Sequence, residues 1–137
     1  MTKKTKNFAQ DDHYQTAAIF SMNTLTELCH GIAKDAGWWS DIETGSPIQR
    51  NKGELLCLIH SEISEAMEGE RKDLMDDKLP HRKMAEVELA DAVIRICDYA
   101  GAHGYDLGGA LVEKLKYNMS RADHKPENRA QANGKKF

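Results

Sequence analysis

Residues 55–67 form an apolar helical run that carries two glutamates on its apolar side, and this placement constrains the fold more than any other feature of the sequence. At 100° per residue, Glu62 and Glu65 project from nearly one side of a helix, and Leu58, four and seven positions earlier, projects from that same side. A carboxylate aimed among core leucines has to be paired, protonated or bound to a cation. With 22 acidic residues in 137, chance spacing supplies roughly three or four acidic i,i+3 pairs, so one such pair says little by itself. The weight comes from a second copy. Glu88 and Asp91 stand in residues 84–94, with Met84 one turn before Glu88 and apolar residues on almost every side, so this helix reads as buried nearly all round. Two helices thus each offer a pair of acids to the interior.

A chain of 137 residues fits one domain, which buries about two thirds of its unfolded surface. No stretch approaches 18 uninterrupted apolar residues, and residues 1–4 lead into polar sequence rather than a signal peptide's apolar segment. The expectation is a cytoplasmic protein without membrane contact. Cys29, Cys57 and Cys97 are odd in number, lack CxxC spacing and fall within apolar helical patterns, so they read as reduced core thiols. A net charge of −3 argues against general nucleic-acid binding, although phosphates can still be held if metal ions bridge the repulsion.

Residues 1–13 are polar, lysine-rich and aperiodic, which predicts a flexible lead-in. From 14 to 36, Ala18, Ile19, Met22, Leu25, Cys29 and Ile32 recur every three or four positions, an amphipathic helix that Gly37 stops. Residues 38–47 hold both tryptophans among turn formers and read as a loop. A second helix is expected over 49–71, with Gly53 and Gly69 as weak points, and a third over 81–103, bounded by Pro80 and Gly104. Asp106 is placed to cap a fourth helix whose buried row is Leu107, Leu111, Leu115 and Met119, ending near 122. The segment 123–137, with Pro126, Gly134 and little apolar content, reads as a flexible tail. No strand-like alternation of useful length occurs. The expected fold class is all-α, a bundle of four main helices over residues 14–122.

If the second and third helices lie side by side, Glu62, Glu65, Glu88 and Asp91 converge. Like charges about 4 Å apart repel by roughly 4 kcal/mol per pair at an effective dielectric near 20, so a cation is required among them. Carboxylate oxygens are hard ligands suited to Mg²⁺ or Mn²⁺. The alternative is that these acids are solvated or pair with Arg95, Lys52 or Lys83. A di-iron bundle needs Glu-x-x-His on two helices; neither pair has it, and His60 points away from Glu62. On the fourth helix, Lys114, Asn118 and Arg121 fall within an arc of about 60°, an ammonium, an amide and a guanidinium suited to phosphate and sugar oxygens. An ordinary solvated face accounts for the same spacing.

The ordered set Ser61-Glu62-Ile63-Ser64-Glu65-Ala66, then Glu88-Leu89-Ala90-Asp91, then Lys114, Asn118 and Arg121 resembles the MazG-like branch of the all-α nucleoside triphosphate pyrophosphohydrolases, with 22 residues between Glu65 and Glu88. The resemblance runs from about Trp38 to Arg121. It implies a Mg²⁺-dependent enzyme, with Mn²⁺ as a possible substitute, that cleaves a (deoxy)nucleoside triphosphate into monophosphate and pyrophosphate. Glu62, Glu65, Glu88 and Asp91 would hold the metal, and Lys114, Asn118 and Arg121 would contact the nucleotide. Glu65 is the candidate base for the attacking water. Arg95 either reaches phosphate or pairs with Asp98 or Asp91. Trp39 or Trp38 either stacks on the base or anchors the core, and Lys135 and Lys136 either close over phosphates or belong to the tail. The resemblance also implies a homodimer or homotetramer. A catalytically silent nucleotide- or metal-binding module and a helical interaction protein are the rival readings.

Overall fold

The computed structural model describes residues 10–137; residues 1–9, most of the expected flexible lead-in, lie outside the described residues. The fold is all-α. Its helices are α1 (Asp12–Asp35), α2 (Lys52–Lys72), α3 (Met84–Ala102), α4 (Leu107–Ser120) and the single turn α5 (Pro126–Arg129), with a 3-10 turn at Ala122–His124. Among the described residues, isolated bridges join Ser40 to Pro47 and Met75 to Lys83, and no strand forms. No helix among the described residues is long and apolar enough to cross a membrane. The chain divides into two compact units, one of residues 25–105 and one made from the segments up to 24 and from 106 onward.

In the 25–105 unit, the sequence ends α1 where expected. Gly37 takes φ 85°, its N–H donates to Lys34 O, and the Trp38 N–H donates to Ala33 O, the pattern of a glycine-stopped helix. Asn51 caps α2 by accepting from the Glu54 N–H at 3.0 Å. At the far end, Asp73 turns left-handed at φ 51°, and its carboxylate pairs with Lys83 just ahead of α3. Asp76 is buried between these helices, and its Oδ1 accepts from the Lys78 and Leu79 N–H groups. The connection is therefore tied at several points, and α2 and α3 form a hairpin. Gly69 lies at the crossing, where an added Cβ would stand 3.0 Å from Met84 Cβ and 3.1 Å from Ala85 N. It is a site of close approach rather than a weak point.

Small side chains predominate among the buried residues of α2 and α3: Ala66, Ala85, Ala92 and Ala100 are buried, with Leu55 and Cys97. The expectation that α3 is buried nearly all round is corrected: Leu89 is 51% exposed, Val93 43% and Ile96 38%. An alanine face suffices to seat α3 on its neighbours, which leaves its larger apolar residues outside. Cys29 and Cys97 are buried together, and burial with the neighbouring thiol pushes the Cys29 thiol up. Cys57 is exposed, contrary to its reading as a core thiol, because it lies off the face on which Leu55 and Glu62 are buried.

In the other unit, Asp106 caps α4 as expected, accepting from the Gly109 N–H at 2.9 Å and the Asn23 side-chain amide at 3.0 Å. These hydrogen bonds hold its carboxyl below the ordinary range. Asn23 Oδ1 in turn accepts from the Gly108 N–H at 2.9 Å, fastening α1 to the start of α4. Of the expected buried row, Leu107 and Leu111 are half-buried but Leu115 and Met119 are exposed; Gly108 and Val112 are the buried positions. The segment expected as a flexible tail carries the 3-10 turn and α5, which Pro126 opens at its first position.

Candidate metal centre

The α2–α3 hairpin brings Glu62, Glu65 and Glu88 together, with one carboxylate oxygen from each lying within 4.8 Å of the others. Glu62 and Glu88 are buried and Glu65 is exposed, so the expectation of two inward acids on each helix holds in full for neither. The 60° offset between Glu62 and Glu65 places one in the seam and the other at its edge. Asp91, one turn beyond Glu88, is half-buried. It stands outside the trio but close enough to act on Glu88 electrostatically.

The cost of gathering these acids falls on Glu88. Burial, the negative charge of Glu65, a hydrogen bond shared with Glu62, and the charges of Glu62 and Asp91 together push its carboxyl up to about 7. Glu88 therefore keeps its proton to much higher pH than an ordinary glutamate. Glu62 has a different partner: Arg95 Nε donates to its Oε1 at 2.5 Å. The alternative in which the acids pair with Arg95 therefore holds for Glu62, rather than the pairing of Arg95 with Asp98 or Asp91. The donor set consists of carboxylates alone, from buried and exposed positions on two helices, with no histidine or cysteine within it. Such a set fits a hard, oxygen-seeking divalent cation such as Mg²⁺ or Mn²⁺, which would replace the proton on Glu88.

Beside the acids lies a cavity of about 510 Å³ whose lining includes Asp91, Arg95, Asp98, Trp38, Arg50 and Leu58. Trp38 is 63% exposed. Trp39 is half-buried and does not line this cavity; its Nε1–H donates to Asp98 Oδ1 at 2.9 Å, and its ring meets His30 edge-on at 5.6 Å. Arg50 places its guanidinium 5.9 Å from the Trp38 ring and 5.4 Å from that of Trp39. Both tryptophans thus lie close to the cavity, Trp38 on its wall and Trp39 behind it.

Lys114, Asn118 and Arg121 lie on or at the end of α4, in the other unit. Lys114 Nζ stands 4.7 Å from the Tyr117 ring centroid, and Arg121 forms a two-pronged pair with Asp123, at 3.0 and 2.7 Å. Asn118 Oδ1 is buried without a hydrogen-bond partner among the described residues. Lys136 Nζ reaches the carbonyl of Gln131, and the Lys135 carbonyl accepts from Arg129.

The sequence reading singles out Trp39 and Asp98 separately but neither joins them into one group nor includes His30. His30 Nδ1 and Trp39 Nε1 both meet Asp98 Oδ1, at 2.8 and 2.9 Å. A signal for it was present, since Glu88, Asp91, Arg95 and Asp98 recur at three- and four-residue spacing along one stripe of α3. Comparisons with models of known protein families, with curated proteins and with solved structures found no match for this chain.

Proposed function

We propose that this protein is a Mg²⁺-dependent nucleoside triphosphate pyrophosphohydrolase, converting a (deoxy)nucleoside triphosphate to monophosphate and pyrophosphate. The observation that carries the reading is the convergence of Glu62, Glu65 and Glu88 from two helices, close enough that Glu88 is driven to about 7. The MazG-like order of acids along the sequence adds to it. Glu62, Glu65 and Glu88 would hold the ion, with Asp91 beside them as the fourth acid. Bound there, Mg²⁺ would offset polyphosphate charge and acidify a water. Glu65, the exposed member of the trio, would take that water's proton. Arg95 would exchange Glu62 for phosphate oxygens, while Lys114, Asn118 and Arg121 are assigned to the nucleotide by the resemblance. The cytoplasmic nucleotide pool is the expected source of substrate.

A homodimer or homotetramer belongs to the same proposal. On α2, Leu56, Ile63 and Met67 are exposed at seven- and four-residue spacing, and on α3 Leu89, Val93 and Ile96 are exposed at four- and three-residue spacing. Two aligned apolar stripes of this kind suit helix pairing with a second copy. One observation favours a catalytically silent binding module instead: Arg95 already supplies Glu62 with a cation.

The test is turnover of the eight common NTPs and dNTPs with Mg²⁺, separating pyrophosphate from orthophosphate. Pyrophosphate with monophosphate supports the enzyme. Nucleotide binding without turnover of any of them supports the silent module, and orthophosphate release overturns the assigned bond.

A further inference from the structure

Asp98 is held in an unusual way for a carboxylate that lines a cavity. Both of its described hydrogen bonds converge on Oδ1, from His30 Nδ1 at 2.8 Å and Trp39 Nε1 at 2.9 Å. The indole nitrogen can only donate. Two donors on a single oxygen, one from α1 and one from the loop after it, fix the plane of the carboxylate and leave Oδ2 without a donor among the described residues. The side chain is only 15% exposed. Oδ2 keeps some access to the cavity rather than being sealed from water, so it is free to accept a donor that a ligand brings there.

Its surroundings indicate which ligand that is. Asp98 and Asp91 both line the 510 Å³ cavity. They are seven residues apart on α3, which sets them about 10 Å apart along the helix axis. That spacing is on the scale of a nucleoside. Asp91 belongs to the end where the acids gather. Asp98 belongs to the other end, since Trp39 is hydrogen-bonded to it, Arg50 lies over Trp39, and Trp38 follows on the cavity wall. This end therefore combines an aromatic face, a guanidinium and a fixed acceptor oxygen. Those are the groups that stack on a planar heterocycle and read its edge.

We propose that Asp98 is a specificity-determining residue, its Oδ2 accepting an N–H from the Watson–Crick edge of the nucleobase, with His30 and Trp39 as the residues that position it. The inference rests on the nucleotide reading above. It concerns the far end of the same cavity and assigns no role in the chemistry to Asp98.

The test compares each dNTP with an analogue lacking the relevant N–H: dCTP with its 2-pyrimidinone counterpart, and dTTP with N3-methyl-dTTP. The readouts are kcat/KM with Mg²⁺ and, by calorimetry, Kd. For the preferred base, the full chain is expected to lose about tenfold to a hundredfold on the analogue, the effect of removing a hydrogen bond to a charged acceptor. In Asp98→Asn the two members of the pair should differ by less than threefold, and the coupling in this double-mutant cycle is the signature of direct contact. If Asp98→Asn does not fold, the comparison on the unaltered protein still decides. Equal treatment of base and analogue overturns the role of Asp98 while leaving a nucleotide enzyme intact. An undiminished preference in a folded Asp98→Asn does the same. Failure to bind or turn over any nucleotide overturns the nucleotide reading, and this inference with it.

Discussion

Arg95 Nε lies 2.5 Å from Glu62 Oε1, so the buried acid of α2 is neutralised by a residue two turns beyond Glu88 on α3. Arg95 is 41% exposed while Glu62 is 8% exposed at the side chain. The guanidinium is free to leave, and the carboxylate is not. Replacing Arg95 with Ala therefore strands a buried charge. The expected loss is about 1–2 kcal/mol, discounted for the exposure of the arginine, or roughly 3–8 °C in Tm without metal. Mg²⁺ should recover more stability in the variant than in the parent, because the ion then meets no internal competitor. Thermal melts with and without Mg²⁺ check this, and equal Mg²⁺ shifts would show that Arg95 and the ion do not compete.

Glu88 makes stability depend on pH with a defined sign. Its folded value near 7 lies above the ordinary 4.5, so the folded state keeps a proton that the unfolded chain releases. This group's contribution is therefore most favourable below about 4.5, declines as pH rises to about 7, and is level above that. Glu88→Gln should lack this slope, and the difference between the two metal-free proteins should widen from pH 5 to pH 8. Mg²⁺ binding competes with the same proton, so apparent affinity should climb with pH up to about 7 and then flatten. Denaturant titrations across this range measure the first effect and calorimetry in two buffers the second.

Gly69→Ala tests the hairpin crossing. The new methyl would meet Met84 Cβ at 3.0 Å and backbone at Ala85 at 3.1 Å, and backbone cannot rotate away. A destabilisation of about 1–3 kcal/mol is expected despite alanine's better helix propensity. A neutral or positive change in unfolding free energy would show that the helices part freely there.

Ile63→Glu addresses the apolar stripe of α2. Ile63 is 48% exposed, so in a monomer the change costs less than about 0.5 kcal/mol. In an oligomer seated on this face it buries charge and should shift sedimentation toward the monomer. An unaltered oligomer would place the contact elsewhere.

The helices were legible because their stops and caps are local: Gly37 and Asp106 work within one turn of chain, whereas the Asn51 cap, inside the expected 49–71 helix, was missed. The convergence of Glu62, Glu65 and Glu88 was legible because helical phase alone puts them on facing sides. Which acids are buried was not, since it depends on how far around each helix its neighbour reaches; Glu65 and the stripe from Leu89 to Ile96 show the limit. The Asp98 cluster escaped for a different reason. Its partners His30 and Trp39 are 68 and 59 residues distant in the chain, and no periodic pattern links residues on separate helices and a loop.

The buried alanines of α2 and α3 have a mechanical consequence. Ala66 follows Glu62 by one turn and Ala92 follows Glu88 by one turn, and both are buried. Methyl groups in contact let two helix axes approach toward the short end of the 8–10 Å range, and the carboxylates inherit that separation. The gauge of the acid cluster is thus set by side chains that carry no charge. Enlarging either alanine to valine would widen the gap between oxygens without altering a single ligand, and so would retune which ion radius the hairpin accepts.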